Sequence, residues 1–155
     1  MKKLALLLAM ALVVGVACPL QGKGMDLTDE ALQAEARQGF EQILDLWRDG
    51  RYDDLFERTI TGGKMTKESF SVRLAGATLR PACCWEKMQD VKISAGKGKT
   101  VTVRAKVGLE GMSGTEFKTR SYRMVKEEGV WKLSQADILS LCGGAKKKKG
   151  HVRKR

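Results

Sequence analysis

The chain has 155 residues, 43% of them hydrophobic and 30% charged, with a formal net charge of +11. Of its 29 basic groups, two lie in residues 1–17 and seven in residues 146–155, which leaves 20 against 18 acids between. That length excludes more than one ordinary domain, and the nearly neutral body excludes a nucleic-acid-binding domain of strongly basic overall charge.

Lys2 and Lys3 form a positive start, and Leu4 to Val16 an unbroken apolar stretch closed by small residues. Residues 1–17 therefore read as a secretory signal peptide, too short and wrongly flanked for a membrane span. The mature protein is expected outside the cytoplasm. Two cleavages compete at one bond. Gly15-Val16-Ala17 suits an ordinary signal peptidase. Val14-Gly15-Val16-Ala17-Cys18 resembles a bacterial lipobox, with Gly15 where Leu is usual. The second reading attaches lipid to Cys18. Each buried methylene then contributes about 0.8 kcal/mol, and stable anchoring takes two or more chains.

Residues 18–27 read as a tether. A first helix is expected from Thr28, with Asp29 and Glu30 favoured in its first turn. Ala36, Phe40, Ile43, Leu44 and Trp47 recur at three- and four-residue spacing and make one apolar stripe. Gly50 stops that helix. A short second helix follows over Asp53 to Thr59, with Tyr52, Leu55 and Phe56 on its apolar side. Thr66 opens a third, carrying Phe70 and Leu74 inward, in a segment that runs to Pro81.

From Trp85 the period falls to two. Val91 and Ile93 lead into a turn at Gly96-Lys97-Gly98. Val101, Val103, Ala105, Val107 and Leu109 then alternate with polar residues, the cleanest strand in the chain. Gly111 and Gly114 turn it into a strand over Thr115 to Lys126. Glu128-Gly129 turns that into a last strand over Val130 to Asp137. Short turns make these strands antiparallel neighbours. Helices first and a meander second is an α+β layout, with N-terminal helices packed on one face of a curved antiparallel β-sheet.

Two phrases carry a family resemblance: Leu46-Trp47-Arg48-Asp49-Gly50-Arg51-Tyr52-Asp53-Asp54-Leu55-Phe56, and Gly129-Val130-Trp131-Lys132-Leu133. With the element order they resemble the nuclear-transport-factor-two-like (cystatin-like) superfamily, in its small secreted bacterial lipoprotein form. The resemblance covers roughly residues 30–140. It implies a cone-shaped domain, placed here at residues 28–142. It does not imply one activity, because that superfamily hosts enzymes, binders and scaffolds.

Enzymes of the superfamily place carboxylates, tyrosines or histidines inside the cone. Here no histidine lies in the body, since His151 is in the tail. Asp53 and Asp54 fit a helix start, and Tyr52 and Tyr122 read as structural aromatics. No catalytic residue, metal ligand or cofactor is assigned. Trp47, Tyr52, Trp85, Tyr122 and Trp131 are candidates to line a ligand cavity. The tryptophans read equally as packing anchors. Lys97, Lys99, Arg104, Lys106, Lys118, Arg120 and Arg123 form a dense basic set, read either as a solvated face or as an anion-binding surface.

Cys83, Cys84 and Cys142 remain if Cys18 carries lipid. An oxidising compartment favours a bond from the adjacent pair to Cys142. Cys84 to Cys142 is the expected pair, with Cys83 the alternative. A ring between neighbours is strained. Free buried thiols and redox or metal chemistry are the rival readings. Residues 143–155 read as a disordered basic tail. Its Lys146, Lys147, Lys148, Lys149, Arg153, Lys154 and Arg155 are candidates to meet anionic lipid or another polyanion, at about 1 kcal/mol per residue near a surface.

The sequence thus points to an exported cell-envelope protein that binds a partner protein or small ligand without catalysis. It would sit lipid-anchored at the periplasmic face of a bacterial membrane, or else soluble in the periplasm or secreted. A small enzyme using the cone interior, and a polyanion- or membrane-binding accessory protein acting through the tail, are the alternatives. A homodimer is left open.

Overall fold

A computed structural model describes residues 26–60 and 65–142 of the chain. The expected signal peptide, Cys18 and the basic tail lie outside the described residues.

Helix α1 spans Asp26–Arg48, starting two residues before the expected point. Its stripe of Ala36, Phe40, Ile43, Leu44 and Trp47 is buried throughout, as a 3.6-residue period requires of a helix lying on a sheet. Gly50, at φ +73°, provides the left-handed turn into α2, Tyr52–Glu57. Helix α3, Lys67–Ala75, is capped by the Thr66 hydroxyl, which accepts from the Ser69 N–H at 3.3 Å. It stops at Gly76, short of the expected Pro81. Arg80–Pro81 instead forms a two-residue strand, β1.

A turn of 3-10 helix at Cys84–Glu86 leads into β2, Met88–Ala95, followed by β3, Thr100–Gly111, β4, Gly114–Glu127, and β5, Val130–Leu133. The sheet runs β1-β3-β4-β5, with β2 also paired to β3, and every pairing is antiparallel. Glu128 and Gly129 turn β4 into β5 at φ +52° and +81°, the two left-handed residues of a tight hairpin. A bulge between Gln89 and Lys92, with Asp90 at φ +51°, bends β2 along the sheet edge. The sheet curls around the helices, giving the α+β fold the sequence implied.

The last expected strand ends early. Ser134 caps a fourth helix, α4, Gln135–Leu141, where a strand to Asp137 was expected. The Ser134 hydroxyl accepts from the Asp137 N–H at 3.0 Å and donates to the Asp137 carboxylate at 2.7 Å. This Ser-x-x-Asp cap is a start signal that outweighs the preceding strand period.

Register sorts the residues by face. Val103 pairs with Tyr122, Ala105 with Arg120 and Val107 with Lys118, so odd positions of β3 and even positions of β4 face the helices. Phe40, Trp47, Tyr122, Met124, Trp131, Leu133 and Ile138 fill the space between. The Phe40 and Tyr122 rings lie 4.8 Å apart. Trp131 packs where α1 has Gly39: a Cβ there would stand 2.6 Å from Trp131 Cβ. Lys87 Nζ reaches both oxygens of Asp45, at 2.7 and 2.8 Å, and ties α1 to the start of β2.

The cysteine expectation is corrected. Cys83 is bonded to Cys84, and Cys142 is a free, buried thiol. The sheet separates them. A Cβ on Gly108, an outward position of β3, would collide with the carbonyl oxygen of Glu86, so the turn that follows the cysteine pair lies over the outer face. Cys142 ends α4 on the inner side, where inward-facing Lys118 donates to the carbonyl of Leu141 at 3.3 Å. Its own Sγ lies 3.7 Å from the Ile138 carbonyl oxygen.

Candidate functional site

Three of the five residues expected around a cavity share the packed core, and Tyr52 packs against it. Trp47, Tyr122 and Trp131 are core side chains, each no more than 3% exposed. Trp85 is on the outer turn and 73% exposed. Tyr52 lines a shallow cleft of about 320 Å³ with Asp53, Asp54 and Ser71. Tyr122 Oη, Trp47 Nε1 and Trp131 Nε1 are buried with no hydrogen-bond partner among the described residues. Burial pushes the Tyr122 phenol up to about 12, with nearby Arg120 partly opposing and Asp137 adding to the rise. Burial likewise pushes the Cys142 thiol up to about 11. Burial thus keeps both groups in their neutral forms further into the alkaline range.

A groove of about 450 Å³ opens where α1 passes into α2, lined by Asp45, Asp49, Arg51, Asp54, Glu57 and Arg58 among others. Its charges largely satisfy one another or their neighbours. Asp45 holds Lys87, Arg51 holds Asp54 at 2.7 Å, and Glu57 holds Lys67 at 3.0 Å. The Asp53 carboxylate accepts from the Ser71 hydroxyl at 2.9 Å. Among the described residues no group of His, Cys, Asp or Glu is placed to hold a metal ion. A smaller cleft of about 280 Å³ lies between Thr78-Leu79 and the β3–β4 hairpin.

The basic set of the sequence divides between faces. Lys118 and Arg120 point to the helix side, where Lys118 also pairs with Glu116 at 3.0 Å. Lys97 and Lys99 sit at the β2–β3 hairpin. Arg104, Lys106 and Arg123 share the outer face of the sheet, and Lys92 of β2 lies on the same face, directly opposite Arg104. Lys92 was not singled out from the sequence; its place between Val91 and Ile93 puts it on the outward face, but only the strand register sets it opposite Arg104. The cross-strand rows read Gln89–Lys106–Thr119, Lys92–Arg104–Ser121 and Ser94–Thr102–Arg123, and none contains a carboxylate. Lys106 Nζ lies 4.5 Å from the centre of the Phe117 ring, a cation–π contact at the end of the strip nearest the outer turn.

The acids that neighbour these cations in sequence lie elsewhere. Glu110 accepts from the Cys83 N–H at 3.1 Å beyond the strip. Glu116 faces the helix side, and Glu127 is paired with Lys132 at 3.2 Å at the opposite end. Asp90, in the edge bulge, is the one acid bordering the strip among the described residues of β2.

No protein-family model matches this chain, and no curated protein matches it. Among solved structures it is similar to Aln2 from a Streptomyces species, at 12% identity and a TM-score of 0.46, over 71% of this chain and 94% of that one. That degree of likeness carries nothing about activity.

Proposed function

We propose that this chain is an exported envelope protein of the nuclear-transport-factor-two-like kind, anchored through lipid on Cys18, that binds without catalysis and meets its partner on its outer surfaces. The filled interior carries this reading. In a catalytic cone the space between helices and sheet is left open for substrate. Here Phe40, Trp47, Tyr122, Met124 and Trp131 occupy it. The export and anchor parts rest on residues 1–18 of the sequence.

The test is an amide chemical-shift titration with a small apolar probe, benzene. The reading predicts no saturable shifts around Phe40, Trp47, Tyr122 and Trp131. A saturable response there would mean an accessible interior and would turn the account toward the enzyme alternative. The anchor is tested separately. Cys18→Ser should move the protein from the membrane to the soluble fraction, and an intact mass showing an unmodified chain that begins at Cys18 would contradict lipidation.

A second reading has one observation in its favour. Tyr122 Oη is a buried ionisable group inside the cone with no partner among the described residues. A small enzyme would use such a phenol as a hydrogen-bond donor to substrate. The benzene titration separates this reading from the first as well, since a substrate needs a way in.

A further inference from the structure

The outer face of the sheet presents an arrangement that folding alone does not favour. Lys92 stands directly opposite Arg104 across the β2–β3 pair. Arg123 lies on a diagonal from Arg104 across the β3–β4 pair, and Lys106 is two residues along the same strand. Like charges directly opposite each other across two strands are destabilising. Here Arg104 has three cationic neighbours. Among the described residues no carboxylate is paired with Lys92, Arg104, Lys106 or Arg123. Elsewhere among the described residues carboxylates are matched to lysines and arginines in seven ion pairs. What sets this face apart is that four unpaired cations stand in adjacent cross-strand rows, with Lys92 directly opposite Arg104.

We infer that the outer face of the sheet is a docking surface for a linear anionic polysaccharide of the cell envelope. This rests on the reading of the chain as an exported protein that binds from its outside. The charge complementarity is direct: a strip of four cations without acids attracts a chain that carries carboxylate or phosphate groups at intervals. Between the cations stand hydroxyls that can donate to and accept from sugar hydroxyls, at Thr102, Thr119 and Ser121. At one end Phe117, 39% exposed, offers an aromatic surface of the kind that covers apolar ring faces. Two acids, Glu86 and Glu110, border the same end. Glu86 is held there by the Thr115 hydroxyl at 3.2 Å.

The full-length protein is titrated with fluorescein-labelled polygalacturonate at low and at moderate salt, beside neutral dextran, single-stranded DNA and anionic phospholipid vesicles. The expected result is binding to polygalacturonate that weakens steeply with salt, and none to dextran. The triple variant Arg104→Gln/Lys106→Gln/Arg123→Gln should bind polygalacturonate about tenfold or more weakly. It should also melt no lower than the wild type, because it removes like-charge contacts. That stability readout separates lost binding from lost folding. Full-length protein with Lys146, Lys147, Lys148 and Lys149 changed to Gln isolates the tail. Equal binding by the triple variant and the wild type, or a loss confined to the tail variant, would overturn the inference. So would tighter binding of DNA or vesicles than of polygalacturonate through the same three residues. None of these failures touches the closed interior, which the benzene titration judges alone.

Discussion

Gly39→Ala tests how α1 is seated on the sheet. In an exposed helix this change stabilises, by about 0.8–1.0 kcal/mol of helix propensity. Position 39 is buried against Trp131. The added Cβ would lie 2.6 Å from Trp131 Cβ, 2.7 Å from Cδ1 and 2.8 Å from Cγ. Carbon atoms at contact prefer about 3.5–4.0 Å, so the shortfall approaches about 1 Å. The nearest atom is the first of the Trp131 side chain and moves only if the β5 backbone moves. The usual cost of such overpacking is about 1–3 kcal/mol, which exceeds the propensity gain. So close an approach puts the cost in the upper part of that range, about 2–3 kcal/mol, and the net expectation is destabilisation by about 1–2 kcal/mol. Urea unfolding followed by tryptophan fluorescence reads this directly, as a lower midpoint at an unchanged slope. An unchanged or raised midpoint would refute the close approach of α1 to β5.

Three further outcomes follow from the packing. Trp47→Ala and Trp131→Ala should each lower stability by about 3–5 kcal/mol, the usual loss for a large buried aromatic, and a loss below about 1 kcal/mol would mean the residue is not in the core. In an ultraviolet titration the Tyr122 phenol should ionise only as the pH nears about 12. Because its folded pKa is raised, the stability linked to Tyr122 is complete below the unfolded value and is lost as pH rises through the folded value. Stability that stayed flat from about pH 10 to 12 would contradict that burial. Peptide mapping without reductant should recover Cys83 and Cys84 joined within one peptide, with Cys142 alkylated only after unfolding. A cross-link to Cys142 would show that the sheet does not separate them.

Much of the fold was legible because it follows from periodicity. The α1 stripe and the alternation of β3 each serve a single buried face, so spacing alone locates their inward residues. The end of β5 was not legible from period. Ser134 and Asp137 start a helix by a local cap that a strand pattern masks. The cysteine pairing was missed for a different reason. Proximity at the ends of a meander says nothing about which side of the sheet each end reaches, and Cys142 and the 84–86 turn lie on opposite sides. The basic strip was half legible. Arg104 and Lys106 share a face by simple alternation. Lys92 joins them only once the β2–β3 register is known, while Lys118 and Arg120 turn inward by register. Net charge hides all of this, because a nearly neutral body still has one face without acids along its central rows.

The central claim is that the protein binds on the outside of its sheet and not within it. Amide chemical-shift mapping of the full-length protein with polygalacturonate tests it most directly. The account predicts shifts that cluster at Lys92, Thr102 to Lys106 and Thr119 to Arg123, with the amides of Phe40, Trp47 and Trp131 undisturbed. Shifts concentrated on those three core residues, with the outer strip silent, would contradict it.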